Sequence, residues 1–100
     1  MFQALKLEPA DNVATVITEV AKDTTITVQS PEESFTLTTV DAIPYCHKVA
    51  LTAIQRGDII TKYGRPIGRA MGNIAQGGLV GAHNIEGMRG RGDLEGGKSR

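Results

Sequence analysis

The chain has 100 residues, of which 40% are apolar and only 4% aromatic, so it should form one small domain with a core of Val, Ile, Leu and Ala. It contains one cysteine, and no apolar run reaches the roughly 18 residues of a membrane span. These features exclude an intrachain disulfide framework and a membrane-spanning helix. Because the N-terminus also lacks a signal-like pattern, we expect a cytoplasmic protein.

The net charge of zero hides an asymmetry between the two halves of the chain. Residues 1–46 carry two lysines and seven acids, whereas residues 47–100 carry nine lysines and arginines and four acids. We therefore expect the second half to meet an anionic group. Nucleic acid is a poor candidate because no basic motif with interleaved aromatic residues occurs. A small carboxylate or an acidic partner surface fits better.

The first predicted elements are a strand and a helix. Residues 2–7 form a short strand that Pro9 ends. Asp11 is a suitable N-cap because its carboxylate can accept the free amides of a first helical turn. The apolar residues that follow have helical spacing: Val13, Val16, Ile17 and Val20. Because valine is a weak helix former, this helix must be stabilised by packing on a sheet.

A β-hairpin is predicted next. Residues 24–29 and 34–40 are rich in β-branched side chains that alternate with period two, and residues 30–33 supply turn chemistry. Their threonines should face solvent or cross-strand partners, and we assign them no chemistry.

A short pattern then occurs three times, at residues 43–46, 54–57 and 74–77. Each copy starts with Ile, makes a tight turn and leads into an apolar run. The intervals are too irregular for a solenoid and favour a compact fold of short strands held by turns. The fourth position suits a left-handed residue, and it is Gly57, Gly77 or, exceptionally, Cys46. With no CxxC motif and no evident base, Cys46 is predicted to be a small buried thiol rather than a nucleophile.

Residues 57–70 are predicted to form a basic hairpin. Apolar segments flank a turn built from Gly64, Arg65 and Pro66, and three cations fall within eight residues: Lys62, Arg65 and Arg69. Two interpretations remain open. The hairpin is either a solvated basic face or a loop that presents cations and backbone amides to an anionic ligand.

The C-terminal residues 87–100 hold five glycines and two apolar side chains, too few to build a core. We therefore divide the chain into a domain at residues 1–86 and a flexible tail at residues 87–100. The tail is a linker, a segment that orders on a partner, or in part a non-native extension.

Several short motifs follow one another along nearly the whole chain. They are Asp11-Asn12-Val13-Ala14, Ile43-Pro44, His47-Lys48-Val49-Ala50-Leu51, Ile54-x-x-Gly57-Asp58, Lys62-Tyr63-Gly64, Ile67-Gly68, Ile74-x-x-Gly77, His83-Asn84 and Arg89-Gly90-Arg91-Gly92-Asp93. This succession resembles the small SAF-type domain of the altronate and galactarate dehydratase family. The resemblance implies a β-clip fold, mainly β with one or two short helices. It also implies elimination from a sugar acid, normally with a divalent metal such as iron or manganese, beside a large catalytic domain or subunit.

The resemblance also selects candidate site residues. His47 and His83 become catalytic candidates, and the candidates for binding the substrate are Lys62, Arg65, Asn84 and Arg89. No metal ligands are assigned, because two histidines 36 residues apart and one cysteine are weak evidence for a metal site.

Two departures from the family pattern bear on these assignments. Cys46 stands where the family usually has Gly, and residues 79–83 keep only the last histidine of a common His-x-His-x-His run. If the missing histidines handle metal or substrate in relatives, this chain has lost them or uses a variant site.

We therefore expect the small subunit or accessory domain of a sugar-acid dehydratase, inactive without its large subunit. One alternative is the small subunit of an enzyme like sulfolactate sulfo-lyase. The other is a non-catalytic SAF binding or scaffold module. The sequence leaves the sugar acid, the metal and the oligomeric state open, a homo-oligomer included.

Overall fold

A computed structural model describes residues 1–87, which form nine β-strands and no helix. The strands are β1 (Ala4–Leu5), β2 (Val13–Val16), β3 (Thr25–Gln29), β4 (Ser34–Thr38), β5 (Lys48–Ala50), β6 (Ile59–Lys62), β7 (Arg65–Ala70), β8 (Leu79–Val80) and β9 (Ile85–Gly87). The prediction of a mainly-β, SAF-type domain is therefore confirmed. Arg89 and all of the predicted tail except Gly87 lie outside the described residues, so the domain boundary stays a prediction. Within residues 1–87 no helix is long and apolar enough to cross a bilayer.

The strands form two sheets. Six strands pair in the order β4-β3-β1-β2-β5-β8, and three pair in the order β6-β7-β9. All neighbours are antiparallel except β1 and β3, which run parallel. The predicted hairpin of residues 24–40 is present as β3 and β4, with five register pairs from Thr25↔Thr38 to Gln29↔Ser34.

The predicted helix after Asp11 is wrong, because these residues form β2. This strand lies between β1 and β5, so both of its edges are paired. Both of its faces are covered as well, because Val13 on one face and Ala14 and Val16 on the other are all buried. A strand covered on both faces lacks the alternation of a surface strand, which made its apolar spacing look helical. Ile17, which a helical stripe would bury, is 43% exposed.

The repeated turn is confirmed, and the structure adds a fourth copy at residues 20–23. The fourth residue of every copy has a positive φ: Asp23 at 61°, Cys46 at 69°, Gly57 at 91° and Gly77 at 87°. The first residues of the copies pair two by two in antiparallel bridges, Val20 with Ile43 and Ile54 with Ile74. The turns are therefore structural units that hold the short strands together.

Each turn is anchored by the same reciprocal pair of backbone hydrogen bonds. In the copy that contains Cys46, its amide donates to the Val16 carbonyl at 3.0 Å, and the Val16 amide donates to the His47 carbonyl at 2.9 Å. The other copies make the equivalent pairs with Thr39, Ala70 and Ala50. Cys46 itself is exposed, so the expectation of a buried thiol is wrong. The residue is placed by its backbone, and its side chain contributes nothing to the core.

The core consists of two clusters of buried aliphatic residues. The first fills the part of the six-stranded sheet around β1–β5 and comprises Ala4, Ala14, Val16, Val20, Ile26, Val28, Leu37, Ile43 and Val49. The second joins β5 and β8 to the three-stranded sheet and comprises Val13, Ala50, Ile54, Ile60, Ala70, Ile74 and Val80. Neither cluster has a buried aromatic member, as the composition predicted, and the partly buried Phe35 packs against the first. Strand β5 contributes to both clusters and so connects the two halves of the core.

Candidate functional site

The two histidines meet at one end of the β5–β8 pair. Lys48 and Val80 are register partners, so the residues just outside the pair, His47 and Gly81, are also neighbours. A Cβ atom placed on Gly81 would lie 3.5 Å from His83 Nδ1 and 4.0 Å from His47 Cδ2. Both imidazoles therefore border the same small space over Gly81. Both histidines are exposed, and so remain open to a ligand or a second chain.

Asn84 closes the turn that carries His83. Its side-chain oxygen accepts from the Gly81 amide at 2.9 Å, and its side-chain nitrogen donates to the Leu79 carbonyl at 2.8 Å. The backbone amides of Asn84 and Ile85 both donate to the Gly81 carbonyl at 3.0 Å. These contacts make Asn84 a positioning residue for the His83 loop. Its predicted contact with substrate stays a prediction.

The predicted basic hairpin is present, with a turn one step earlier than expected. Lys62 and Arg65 are register partners, and the turn between them is Tyr63 and Gly64, with φ values of 58° and 73°. Two consecutive positive φ values are typical of a type I′ turn, which matches the twist of a hairpin. Pro66 lies in β7 instead of in the turn. Lys62 and Arg65 therefore flank the tip on paired strands.

The tip of this hairpin already holds a carboxylate from the chain itself. Asp11 is only 6% exposed, and its Oδ1 accepts from the Gly64 amide at 2.7 Å while its Oδ2 accepts from the Glu8 amide at 3.2 Å. Asp11 is thus neither a helix cap nor free, and the Gly64 amide is not available to an anionic ligand. The hairpin can still offer its cations.

Asn12, next in the chain, fixes the hairpin to the larger sheet. Its side-chain oxygen accepts from the Thr61 amide at 2.8 Å, its side-chain nitrogen donates to the Ile59 carbonyl at 2.9 Å, and its own amide donates to the Thr61 carbonyl at 3.2 Å. Because β2 and β6 belong to different sheets, no continuous row of backbone hydrogen bonds joins them, and the hydrogen bonds of Asn12 make this connection instead. Asp11 and Asn12 together set the position of Lys62, which follows Thr61.

Lys48 lies beside the predicted catalytic residue His47 but was not predicted from the sequence to be a site residue. It is half-buried on β5, directly after His47, and burial lowers its pKa from the ordinary value of 10.5, with a further decrease from the nearby charge of Lys62. Lys48 is thus the immediate chain neighbour of His47, one of the predicted catalytic residues. The sequence signal that could have identified Lys48 is its position as a charged residue at the start of an otherwise apolar strand.

The described residues provide only part of a binding site for the metal that the resemblance implies. Within residues 1–87 no group of three or more His, Cys, Asp or Glu residues is placed to hold a metal ion. Two imidazoles fall short of the three protein ligands that catalytic zinc-type sites use. The described residues therefore do not fit a resident metal by themselves, and no step is derived through one. Iron or manganese stays a prediction for a complex with a larger chain.

Comparison with known proteins bears on the family to which the chain belongs. The family described as "Altronate/galactarate dehydratase SAF domain" matches residues 2–88. The chain is 39% identical over 83 residues to the altronate dehydratase of Escherichia coli (strain K12), which covers 83% of the chain and 16% of that protein. It is 42% identical over 62 residues to the (2R)-sulfolactate sulfo-lyase subunit alpha of Paracoccus pantotrophus, which covers 62% of the chain and 92% of that subunit.

These two relatives differ in how much of them the chain represents. It spans about one-sixth of the dehydratase but almost all of the sulfo-lyase subunit. The nine-stranded fold, the turn motif and the match over residues 2–88 lead to one conclusion. The chain belongs to the family of altronate/galactarate dehydratase SAF domains.

Proposed function

We propose that this chain is the small subunit or accessory domain of a sugar-acid dehydratase and assists the elimination of water from a 2,3-dihydroxy acid together with a large catalytic subunit. The observation that carries the proposal is the meeting of His47 and His83 over Gly81. Imidazoles are the side chains whose ordinary pKa suits proton transfer near neutral pH. Both face outward, where a second chain could complete the site.

The elimination needs a base for the proton beside the carboxylate, stabilisation of the enediolate, and an acid for the departing hydroxyl. One imidazole can accept a proton at a ring nitrogen, and the other can donate one. Lys62 and Arg65 of the hairpin can hold the substrate carboxylate, and the Arg65 guanidinium can do so through two parallel hydrogen bonds. A metal on the larger chain would supply the enediolate stabilisation that these residues lack.

The need for a partner chain follows from the side chains that the described residues provide. The described residues provide two exposed imidazoles and several cations, but no group of three or more side chains placed to hold a metal ion. The dehydratase relative contains far more chain than the matched part, and the sulfo-lyase relative is named as a subunit. We therefore expect the site to form only where this chain meets a large dehydratase-type subunit.

The second candidate function is that of a small sulfo-lyase subunit acting on a sulfonated hydroxy acid, which is favoured by the 92% coverage of the subunit alpha relative. Its chemistry makes a different demand, since the carbon–sulfur bond breaks and the sulfonate group departs as sulfite, an anion that needs no protonation to leave. An acidic imidazole would then matter less. A non-catalytic SAF module is the remaining alternative, in which neither histidine would affect turnover.

The proposal is tested by reconstitution. The purified chain with sugar acids and divalent metal should show no turnover above a metal-only control, and turnover should appear when the large subunit is added. In that complex His83→Ala should lower kcat/KM by about tenfold or more, the scale of losing one positioned proton-transfer group. The matched control is Lys22→Met, which removes an exposed charge elsewhere.

The denaturant midpoint of His83→Ala should equal that of the unmodified chain, because the side chain is exposed. Turnover by the lone chain would overturn the need for a partner. Unchanged kinetics of His83→Ala in an active complex would reduce His83 to a loop residue and favour the non-catalytic alternative.

A further inference from the structure

The repeated turn presents a backbone carbonyl to the side chain that follows the turn. In the first copy along the chain, residues 20–23, the Thr24 hydroxyl donates to the carbonyl of Lys22, two residues earlier, at 3.3 Å. In the second copy His47 and Tyr45 hold the equivalent positions, and His47 Nδ1 lies 3.3 Å from the Tyr45 carbonyl oxygen. Because the same contact forms in two copies with different side chains, it belongs to the geometry of the turn.

The left-handed residue between carbonyl and side chain accounts for this contact. Its φ is 61° at Asp23 in the first copy and 69° at Cys46 in the second. A positive φ at the second central residue of a turn turns the preceding peptide plane over. The His47 amide also closes the turn by donating to the Pro44 carbonyl at 3.0 Å. The backbone thus holds the start of the His47 side chain beside the carbonyl of Tyr45.

This contact determines which ring nitrogen of His47 carries the proton. A carbonyl oxygen can only accept a hydrogen bond, so Nδ1–H is the donor, as the hydroxyl of Thr24 is in the first copy. Neutral His47 then keeps its lone pair on Nε2. The His47 atom nearest to a Cβ placed on Gly81 is Cδ2, at 4.0 Å, and this carbon is bonded to Nε2. The lone pair therefore lies on the side of the ring that borders the space shared with His83.

We propose that the Tyr45 carbonyl holds His47 in its Nδ1–H form and that His47 Nε2 is the base of the elimination, with His83 as the acid. The two roles rest on the proposed function, whereas the form of the ring rests only on the contact with Tyr45, which is a positioning residue. The C–H bond beside the substrate carboxylate breaks, its proton goes to Nε2, and its electron pair moves into the carboxylate as an enediolate. That pair then forms the carbon–carbon double bond as the neighbouring hydroxyl departs, and a proton from His83 converts this hydroxyl to water.

The form of the ring is tested on the full chain alone by long-range proton–nitrogen NMR at about pH 9, where histidine side chains are neutral. The His47 signals are identified by their loss in His47→Asn. In the folded chain they should show a protonated Nδ1 and an unprotonated Nε2. In urea the unfolded chain should return to the Nε2–H form that free histidine prefers. The same form in both states, or a protonated Nε2 in the folded chain, would overturn the role of Tyr45.

The two roles are tested in an active complex with the large subunit, using the hydroxy acid and an analogue with fluorine in place of the departing hydroxyl. Fluoride leaves without being protonated, so the analogue needs the base but not the acid. His47→Asn keeps a donor for the Tyr45 carbonyl but has no base at the Nε2 position, and kcat/KM should fall about a hundredfold with both substrates. His83→Asn should lower kcat/KM about tenfold or more with the hydroxy acid and much less with the fluoro analogue.

The opposite pattern, in which the fluoro analogue restores turnover to His47→Asn, would reverse the roles and overturn the proposal. Equal losses with both substrates in His83→Asn would remove His83 as the acid and count against it as well. If the complex with the unmodified chain shows no turnover, the proposed function fails, and the NMR comparison still decides whether the Tyr45 carbonyl fixes the ring of His47.

Discussion

The four left-handed turns allow a matched test of the fold with Gly57 and Gly77. Both have nearly the same positive φ, 91° and 87°, and both follow an Ile-initiated turn. Their surroundings differ. A Cβ on Gly57 would meet nothing within 4 Å, whereas a Cβ on Gly77 would overlap the carbonyl oxygen of Thr38. Alanine at both positions therefore imposes the same backbone strain, and only at Gly77 does it also cause a steric clash.

The expected magnitudes follow from these terms. Alanine in a left-handed conformation costs about 1–2 kcal/mol, and the loss of unfolded-state freedom returns about 0.4–1 kcal/mol in both variants. At Gly77 the Thr38 backbone must also move, which costs about 1–3 kcal/mol. That movement strains two hydrogen bonds of the turn, Gly77 N to Ala50 O at 2.8 Å and Val40 N to Gly77 O at 3.0 Å. Gly57→Ala should thus lower the free energy of unfolding by about 1 kcal/mol, and Gly77→Ala by about 2–4 kcal/mol.

The assay is equilibrium unfolding in urea at constant pH, with the m-value checked to be the same for all three proteins. The informative quantity is the difference between the two variants, because strain and unfolded-state entropy cancel in it. Equal midpoints would show that the contact between Gly77 and Thr38 is not tight. That result would refute the assignment of Gly77 as the residue that joins the turn before β8 to the end of β4.

Three further predictions concern single side chains. Asp11→Ala should lower the free energy of unfolding by about 2–4 kcal/mol, because two backbone amides lose the buried carboxylate that accepts from them. The control is Asp58→Ala, which removes an exposed carboxylate with one amide partner and should cost about 1 kcal/mol or less in the same urea assay. Cys46→Gly should leave the midpoint unchanged or slightly higher, because relief of about 1 kcal/mol of strain is offset by unfolded-state freedom, and a clear decrease would contradict this. The lowered pKa of Lys48 means that the unfolded chain binds more protons between that pKa and 10.5, so the contribution of Lys48 to stability rises with pH over this window. Lys48→Met should therefore stabilise most at neutral pH and lose its advantage as pH approaches 10.5, and a difference independent of pH would contradict the assignment.

Local chemistry predicted most of the strands and turns. The hairpin of residues 24–40 was readable because its threonines alternate with apolar residues, and the pairs Thr25–Thr38 and Val28–Phe35 follow from that alternation. The hydroxyls of Thr25 and Thr38 lie 3.0 Å apart, as cross-strand partners should. Thr39 follows the second part of the expectation, contact with a cross-strand partner instead of with solvent. It is fully buried, and its hydroxyl donates to the Ala21 carbonyl at 2.8 Å and accepts from the Thr24 amide at 3.0 Å.

The site was predictable only in part, and for different reasons at different residues. The meeting of His47 and His83 depends on the register of β5 with β8, which pairs residues about 30 positions apart and leaves no local signal. Only the resemblance to a known family linked the two histidines. Asp11 was misassigned because a carboxylate before an apolar run can cap a helix or bind a distant amide, and its partner Gly64 is 53 residues away.

The fourth turn shows what defines the repeated motif. The copy from Val20 to Asp23 has neither Ile at its first position nor Gly at its fourth, so the sequence pattern did not include it. Cys46 and Asp23 nevertheless adopt φ values of 69° and 61°, close to the left-handed region that glycine enters freely. All four copies share the reciprocal backbone hydrogen bonds to another strand, for example Asp23 N to Thr39 O at 3.0 Å and Thr39 N to Thr24 O at 2.9 Å. Backbone pairing therefore imposes the left-handed conformation, and glycine only lowers its cost. By this argument the glycine at the fourth position is dispensable wherever the space beside it is open, as at Gly57, and is required where another strand approaches as closely as Thr38 approaches Gly77.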